Sequence, residues 1–176
     1  MSPVPKTSVI VVSYNTREIL RACLERLFAV AHDVPLEVIV VDNASRDASA
    51  DMVETAFPQV ILHRSDINLG FAAANNVGFR IATGDTILLL NPDALIEPGA
   101  VQRSLTYMAA DPRIGMGGGL LLDKEAKWQP SARLFPSLLN ELLVLSGLAA
   151  RFPKSRFFGR FDRTWADPGH AAAVDW

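Results

Sequence analysis

The sequence is short of several things, and each shortage removes a class of function. It holds a single cysteine, Cys23, in 176 residues, which excludes a disulfide framework and any zinc site built on cysteine pairs. Cys23 stands beside Leu24 and Leu27 in a helical pattern and reads as a small core residue. The three histidines, His32, His63 and His170, show no metal-ligand spacing and read as surface or loop positions. Neither sign of charge dominates: 17 Lys and Arg against 19 Asp and Glu leave a net charge of −2, so no basic field draws in nucleic acid. No apolar run reaches membrane-spanning length. Residues Met1 to Thr7 lack the apolar stretch of a signal peptide, so a cytoplasmic protein is the expectation. There is no Gly-Lys-Ser/Thr and hence no P-loop. The first strand runs into Ser13–Tyr14–Asn15, not Gly-x-Gly-x-x-Gly, and the glycine cluster at 115–119 fails that pattern at Leu120. A dinucleotide-dependent dehydrogenase is therefore disfavoured.

What is present is a foldable core. Hydrophobic residues make up 49% of the chain, and its length suffices for one domain with a real interior. Val9–Val12, Val38–Val41, Val60–Leu62 and Thr86–Leu90 are short continuous apolar runs, and Met116–Leu122 is a weaker, glycine-rich one. Helical patterns lie between them. Ile19, Leu20, Cys23, Leu24, Leu27 and Phe28 repeat at helical spacing, with Asn15 and Glu18 placed as a capping box. Asp47 or Ser45 can cap a second helix through Met52, Val53 and Ala56. A third spans Phe71 to Ala82, and a fourth starts near Pro98 and runs through Val101, Leu105 and Met108. Continuous strands alternating with helices predict an α/β fold, a mostly parallel sheet covered on both faces.

The character changes after about Asp123. Residues 1–123 read as the α/β domain and 124–176 as the start of a second region. Gln129 to Pro136 is loop-like, and Ser137 to Ala150 is Leu-rich and helical in habit. Its apolar face is expected to pack against the sheet or further chain. The basic flank of Arg151, Lys154, Arg156 and Arg160 also suits an anionic membrane surface. Ala173–Val174–Asp175–Trp176 looks like the lead-in to another core strand.

Polar and glycine-bearing loops follow the strands: Ser13–Tyr14–Asn15, then Asp42–Asn43–Ala44–Ser45–Arg46–Asp47, then Asn68–Leu69–Gly70 with Asn75 and Asn76 beyond, then Asn91–Pro92–Asp93. In open α/β sheets ligands bind at the carboxyl ends of the strands. Asp42 can accept hydrogen bonds from a base or ribose, and small residues after the first strand let backbone approach a base. Asp93 can ligate a divalent cation carrying a phosphate-bearing substrate. Each also has a plainer use: Asp42 as a turn cap, Asp93 and Asn68–Gly70 as turn residues. Two successive asparagines in a helix, Asn75 and Asn76, suggest a polar face with a task, because Asn is a poor helix former.

Taken in order, VIVVSYN at Val9–Asn15, VIVVDNASRDAS at Val38–Ser49, NLGFAAANNVG at Asn68–Gly78 and ILLLNPDA at Ile87–Ala94 resemble the family 2 glycosyltransferases of GT-A fold. The form with NPD, NLGF and paired Asn looks most like the rhamnosyltransferase-type members. The resemblance implies that Ser13, Tyr14 and Asn15 line a nucleoside pocket and that Asp42 bonds the base with Asn43 beside it. Asn68, Gly70 and Asn76 would lie close to the nucleotide. Asn91 and Asp93 would stand at the family's Asp-x-Asp motif, with Asp93 binding Mg2+ or Mn2+ and Asn91 replacing the first acid. Asn75 stands where many members carry Arg. The implied reaction moves a sugar from a dTDP- or UDP-linked donor to a glycan or lipid-linked acceptor, as in cell-wall or polysaccharide synthesis, at the inner face of the plasma membrane if peripheral.

The family's inverting members use a carboxylate base on the acceptor side. Asp162, Asp167 and Asp175 have no motif around them, so no catalytic base is assigned; the resemblance implies that it lies beyond Trp176, and that the chain is a donor-binding half. An inactive nucleotide-sugar-binding domain and a sugar nucleotidyltransferase are the competing readings. The latter would want a glycine-rich, Arg-bearing loop after the first strand.

Overall fold

The computed structural model of the chain describes residues 6–131, 133–163, 165–167, 169, 172 and 174. The chain divides into two compact units, Met1–Gly117 and Gly118–Trp176.

In the first unit the apolar runs become β1 (Thr7–Ser13), β2 (Leu36–Asp42), β3 (Ile61–Arg64) and β4 (Thr86–Leu89), a parallel sheet ordered β3-β2-β1-β4. Central β1 and β2 are covered on both faces, so they read as unbroken apolar runs with no polar alternation. Successive residues still face opposite ways. Val9, Val11, Val38 and Val40 pack with α1 (Arg17–Val30), α2 (Ser49–Ala56) and α4 (Ala100–Ala109) through Leu24, Val53 and Val101. Ile10, Ile39 and Val41 meet Ala74, Val77 and Ile81 of α3 (Phe71–Ile81) on the other face. At Gly78 a Cβ would stand 2.5 Å from Ile10 Cγ2, so the close approach of α3 to β1 requires glycine there.

The amino end of the sheet is tied by Glu37. Its carboxylate accepts from Lys6 Nζ and Thr83 Oγ1, both at 2.6 Å, from Ser8 Oγ at 2.7 Å and from Thr83 N at 2.8 Å. Burial works to raise its pKa, but these bonds prevail and lower it to about 2.

In the second unit Leu121–Leu122 (β5) pairs antiparallel with Trp128–Gln129 (β6). The expected fifth strand over 116–122 therefore shrinks to two residues outside the parallel sheet, and residues 115–120 are exposed without regular structure. Gly115, Gly117, Gly118 and Gly119 offer no side chain to pack and lose much backbone freedom on ordering. The Leu-rich helix forms as α5 (Leu138–Leu145) and α6 (Leu148–Arg151), divided at Gly147, whose φ of 74° ends the first. The lead-in strand expected at Ala173, Asp175 and Trp176 lies outside the described residues, as does His170. His63 lies on β3, half-buried, and is not a loop residue.

Candidate functional site

The parallel strands bring their carboxyl ends to one edge. Ser13 is in register with Asp42, and Asp42 with Arg64. Leu90 N–H donates to Ile10 O at 3.0 Å, carrying the β1–β4 pairing to the end of the apolar run. The Asp42 and Asn91–Asp93 positions thus flank β1, about 10 Å apart at two strand spacings. That is the scale of a nucleoside between its base edge and its phosphates.

The loops at this edge are bolted to one another. Asn15 adopts a left-handed conformation (φ 53°); its N–H donates to Ser45 Oγ at 2.9 Å and its Oδ1 accepts from Arg46 N at 2.7 Å. The expected Asn15–Glu18 capping box is therefore replaced: the N-cap of α1 is Thr16, and Asn15 serves the neighbouring loop. Asp47 is not the N-cap of α2, which is Ala48, in a left-handed conformation (φ 60°). Instead its carboxylate accepts from Ser49 N at 3.0 Å and from Arg17 N at 2.9 Å, serving the first turns of both α2 and α1. Burial opposes ionisation of Asp47, yet the bonds from Ser49 and Arg17 hold it below the usual carboxylate range. The Asp-x-Ser spacing of residues 47–49 was the available signal for this role.

Asn43 is buried, and its side chain is spent on the loop after β3. Nδ2 donates to Asn68 Oδ1 at 2.9 Å, and Oδ1 accepts from Leu69 N at 2.8 Å. Asn68 Oδ1 also accepts from Gly70 N at 2.8 Å, and Gly70 takes a left-handed φ of 75°. Asn43 and Asn68 form a latch between two strand ends. Asn75 is buried too, its Nδ2 bonded to Phe71 O at 2.9 Å within α3, so the asparagine pair is not one polar face; Asn76 alone is exposed. Ser13 is buried with its Oγ 2.9 Å from Thr16 Oγ1, while Tyr14 is exposed.

Asp42 differs from these satisfied groups. It is 4% exposed. One oxygen accepts from Ser45 N at 3.1 Å, and the other, Oδ1, is buried with no hydrogen-bond partner among the described residues. An orphaned buried acceptor at a strand-end crevice waits for a donor.

Asn91–Pro92–Asp93 forms a turn closed by Ala94 N donating to Asn91 O at 3.1 Å. Cys23, buried on α1, points its Sγ at the same carbonyl at 3.7 Å. Burial and the Asp93 charge push the Cys23 thiol up to about 11, so it stays protonated as a weak donor. Asp93 is exposed, and its side chain has no bonded or paired partner among the described residues. A free carboxylate on a rigid turn fits a hard divalent cation that takes its other ligands from phosphate oxygens and water. No group of three or more His, Cys, Asp and Glu that could hold a metal occurs among the described residues, so protein ligation would rest on Asp93.

Of the carboxylates weighed as a base, Asp162 is ion-paired with Arg133 at 2.9 Å and Asp167 accepts from Gly169 N at 2.9 Å. Asp175 lies outside the described residues. A concavity of about 380 Å³ is lined by Arg17, Arg21, Ala48, Asp51 and Met52; no lining residue carries an unpartnered buried polar atom, unlike the strand edge.

Known proteins resemble this chain in sequence and fold. The chain is 36% identical over 112 residues to an undecaprenyl-phosphate 4-deoxy-4-formamido-L-arabinose transferase of Serratia proteamaculans, covering 58% of this chain and 33% of that protein. It is 30% identical over 143 residues to an N-acetylglucosaminyl-diphospho-decaprenol L-rhamnosyltransferase of Mycobacterium tuberculosis, covering 75% of this chain and 46% of that protein. The chain thus spans a third to a half of these relatives. Among solved structures, a mannosyltransferase of Pyrobaculum calidifontis in complex with GDP-Man and Mn2+ superposes with a TM-score of 0.58 at 29% identity, over 65% of this chain and 35% of that one. Staphylococcus aureus TarS, at 21% identity and a TM-score of 0.55, covers 77% of this chain and 26% of its own and shares the fold. The α/β sheet is of the GT-A type. With residues 8–169 matching the family profile described as "Glycosyl transferase family 2", this chain belongs to that family.

Proposed function

We propose that this chain binds the nucleoside-diphosphate sugar of an inverting, metal-dependent glycosyltransferase that acts on a lipid-linked or polysaccharide acceptor. The observation that carries the reading is the bare buried oxygen of Asp42. The imide N–H of uracil or thymine is the donor it lacks, so a UDP- or dTDP-linked sugar is the proposed donor. Ser13, Tyr14 and Asn15 would line the nucleoside. Asn43 and Asn68 would hold the loop leading through Gly70 to α3, with Asn76 near its exposed face. Asn91 and Asp93 would face the diphosphate.

Asp93 would hold Mg2+ or Mn2+, which when bound supplies Lewis-acid stabilisation of the departing diphosphate. The residues of the chain would do the rest: bind the base, fix the loops and aim the sugar. Residues 1–123 would hold the donor, and 124–176 would begin the acceptor side. The catalytic base would stand in further polypeptide. Rhamnose is the proposed sugar, supported by the motif set and by the rhamnosyltransferase relative.

Calorimetric titration of UDP, dTDP and GDP with and without Mn2+ tests the donor reading. A pyrimidine diphosphate should bind, more tightly with Mn2+; no binding of any diphosphate would overturn it. Transfer from dTDP-rhamnose to a polyprenyl-linked acceptor tests the division of labour. Robust turnover by the 176-residue chain alone would refute a donor-only role.

A further inference from the structure

A second surface lies within the Gly118–Trp176 unit. The start of α5 is firmly fixed: Ser137 Oγ accepts from Asn140 N at 3.2 Å, and Asn140 Nδ2 donates to Phe135 O at 3.0 Å. Asn140 and Leu143 are buried. The outward face is apolar. Leu138, Leu142 and Leu145 are 93%, 62% and 83% exposed, and their spacing of four and then three residues makes one stripe. Leu139 and Val144 flank it, also exposed. Periodicity predicts this stripe as a buried face, and the structure leaves it open.

The chain that follows is cationic. Arg151, Lys154, Arg156, Arg160 and Arg163 occur with Asp162 as the only acid between 151 and 163. Arg151 lies over the Phe152 ring at 5.8 Å and Arg156 over the Trp165 ring at 4.9 Å, which presents charge and aromatic surface together. No helix among the described residues is long and apolar enough to cross a membrane.

We propose that α5 and the basic segment after it dock on an anionic lipid surface, with the leucine stripe in the acyl boundary and the cations at the headgroups. A second copy of the chain is the poorer occupant, because stacking through this face would set like charges against one another. The proposal rests on the function proposed above only in that a lipid-linked acceptor would be met at this surface. Docking needs neither nucleotide nor turnover, so the two readings fail separately.

Flotation of the chain with phosphatidylcholine vesicles, with and without phosphatidylglycerol, is the test. The floated fraction should rise about tenfold or more with the anionic lipid and fall as salt is raised. Leu138→Glu/Leu142→Glu/Leu145→Glu changes only exposed positions, so its circular dichroism should be unchanged while flotation is lost. Arg151→Glu/Lys154→Glu should lose the preference for anionic lipid. Failure to float, equal flotation on both vesicles, or undiminished flotation of the leucine variant would each overturn the proposal. So would a dimer in sedimentation velocity that the leucine variant abolishes, since the face would then belong to a second copy.

Discussion

Replacing Asp42 with Asn should push folding and binding in opposite directions. The carboxylate is 4% exposed, with one oxygen on Ser45 N at 3.1 Å and the other without a hydrogen-bond partner among the described residues. The amide has the same shape and can keep the Ser45 bond through its carbonyl oxygen. It also removes a buried charge whose solvation is half missing. The Asp42→Asn chain should therefore melt at the same temperature or higher. Its NH2, however, would face the site where an incoming imide N–H must donate. A hydrogen bond to a charged acceptor contributes about 1.5–3 kcal/mol, so losing it should weaken UDP or dTDP binding about 10- to 150-fold. Asp42→Ala is the control: it loses the Ser45 bond as well, and should both bind poorly and melt lower, by about 0.5–1.5 kcal/mol. Calorimetry at fixed Mn2+ with parallel thermal melts reads both effects. An Asp42→Asn chain that binds with undiminished affinity would refute the base-acceptor role, and one that melts well below wild type would refute the claim that the carboxylate sits there unsatisfied.

Asp93→Ala should abolish the Mn2+ enhancement of nucleoside-diphosphate binding while leaving metal-free binding in place, because the side chain has no hydrogen-bonded or ion-paired partner among the described residues; a titration unchanged in its Mn2+ dependence would sink the metal assignment. Gly78→Ala forces a Cβ to 2.5 Å from Ile10 Cγ2 and should cost about 1–3 kcal/mol by overpacking; in urea melts Ile10→Ala should relieve part of that cost, and strict additivity of the two would count against the clash. Glu37 has a folded pKa lowered to about 2, so its stabilisation is complete above its unfolded value and drains away as pH falls through the folded one. Glu37→Gln should therefore be destabilising near neutral pH, by about 1.5–3 kcal/mol, with the gap to wild type narrowing between about pH 4.5 and 2; a gap independent of pH would be inconsistent with an ionised, bonded Glu37.

The parallel sheet was legible because its central strands are buried on both sides and carry their signal in consecutive residues. The ends of the elements were less legible, because the groups that terminate them come from elsewhere in the chain. Asn15 looks like a local cap, but its side-chain oxygen binds Arg46 N, 31 residues away. Asn43 reads as a residue beside a ligand, and its side chain also binds Asn68 and Leu69, 25 and 26 residues away. Asp47 looks like a cap for one helix and serves two. Such choices depend on which loops the sheet brings together, and a sequence window contains only one loop at a time. The same limit applies to the 116–122 run, where the apolar residues suit a strand but the glycines leave too little to pack. It applies again to the leucine helix, whose periodicity marks a face without saying what covers it.

Glu37 and Asp42 lie near opposite ends of one strand, and their surroundings satisfy them to different degrees. At the amino end Lys6, Ser8 and Thr83 converge on Glu37 and satisfy both of its oxygens. At the carboxyl end Asp42 is more deeply buried than Glu37, yet one of its oxygens has no hydrogen-bond partner among the described residues. Three of the five non-glycine residues with positive φ among the described residues lie in the loops beside the second. Asn15, Ala44 and Ala48 all take positive φ in the loops beside Asp42, and left-handed geometry costs an alanine roughly 1 kcal/mol or more. Strain of that kind persists only where neighbouring bonds over-determine the loop, and Asn15, Ser45, Asp47 and Asn43 provide those bonds. A fold that merely needed to close this edge could have placed glycine at 44 and 48 and a neutral residue at 42. The chain instead holds a stiff edge around an unsatisfied acceptor, which is the arrangement expected where a donor group from a ligand completes the set.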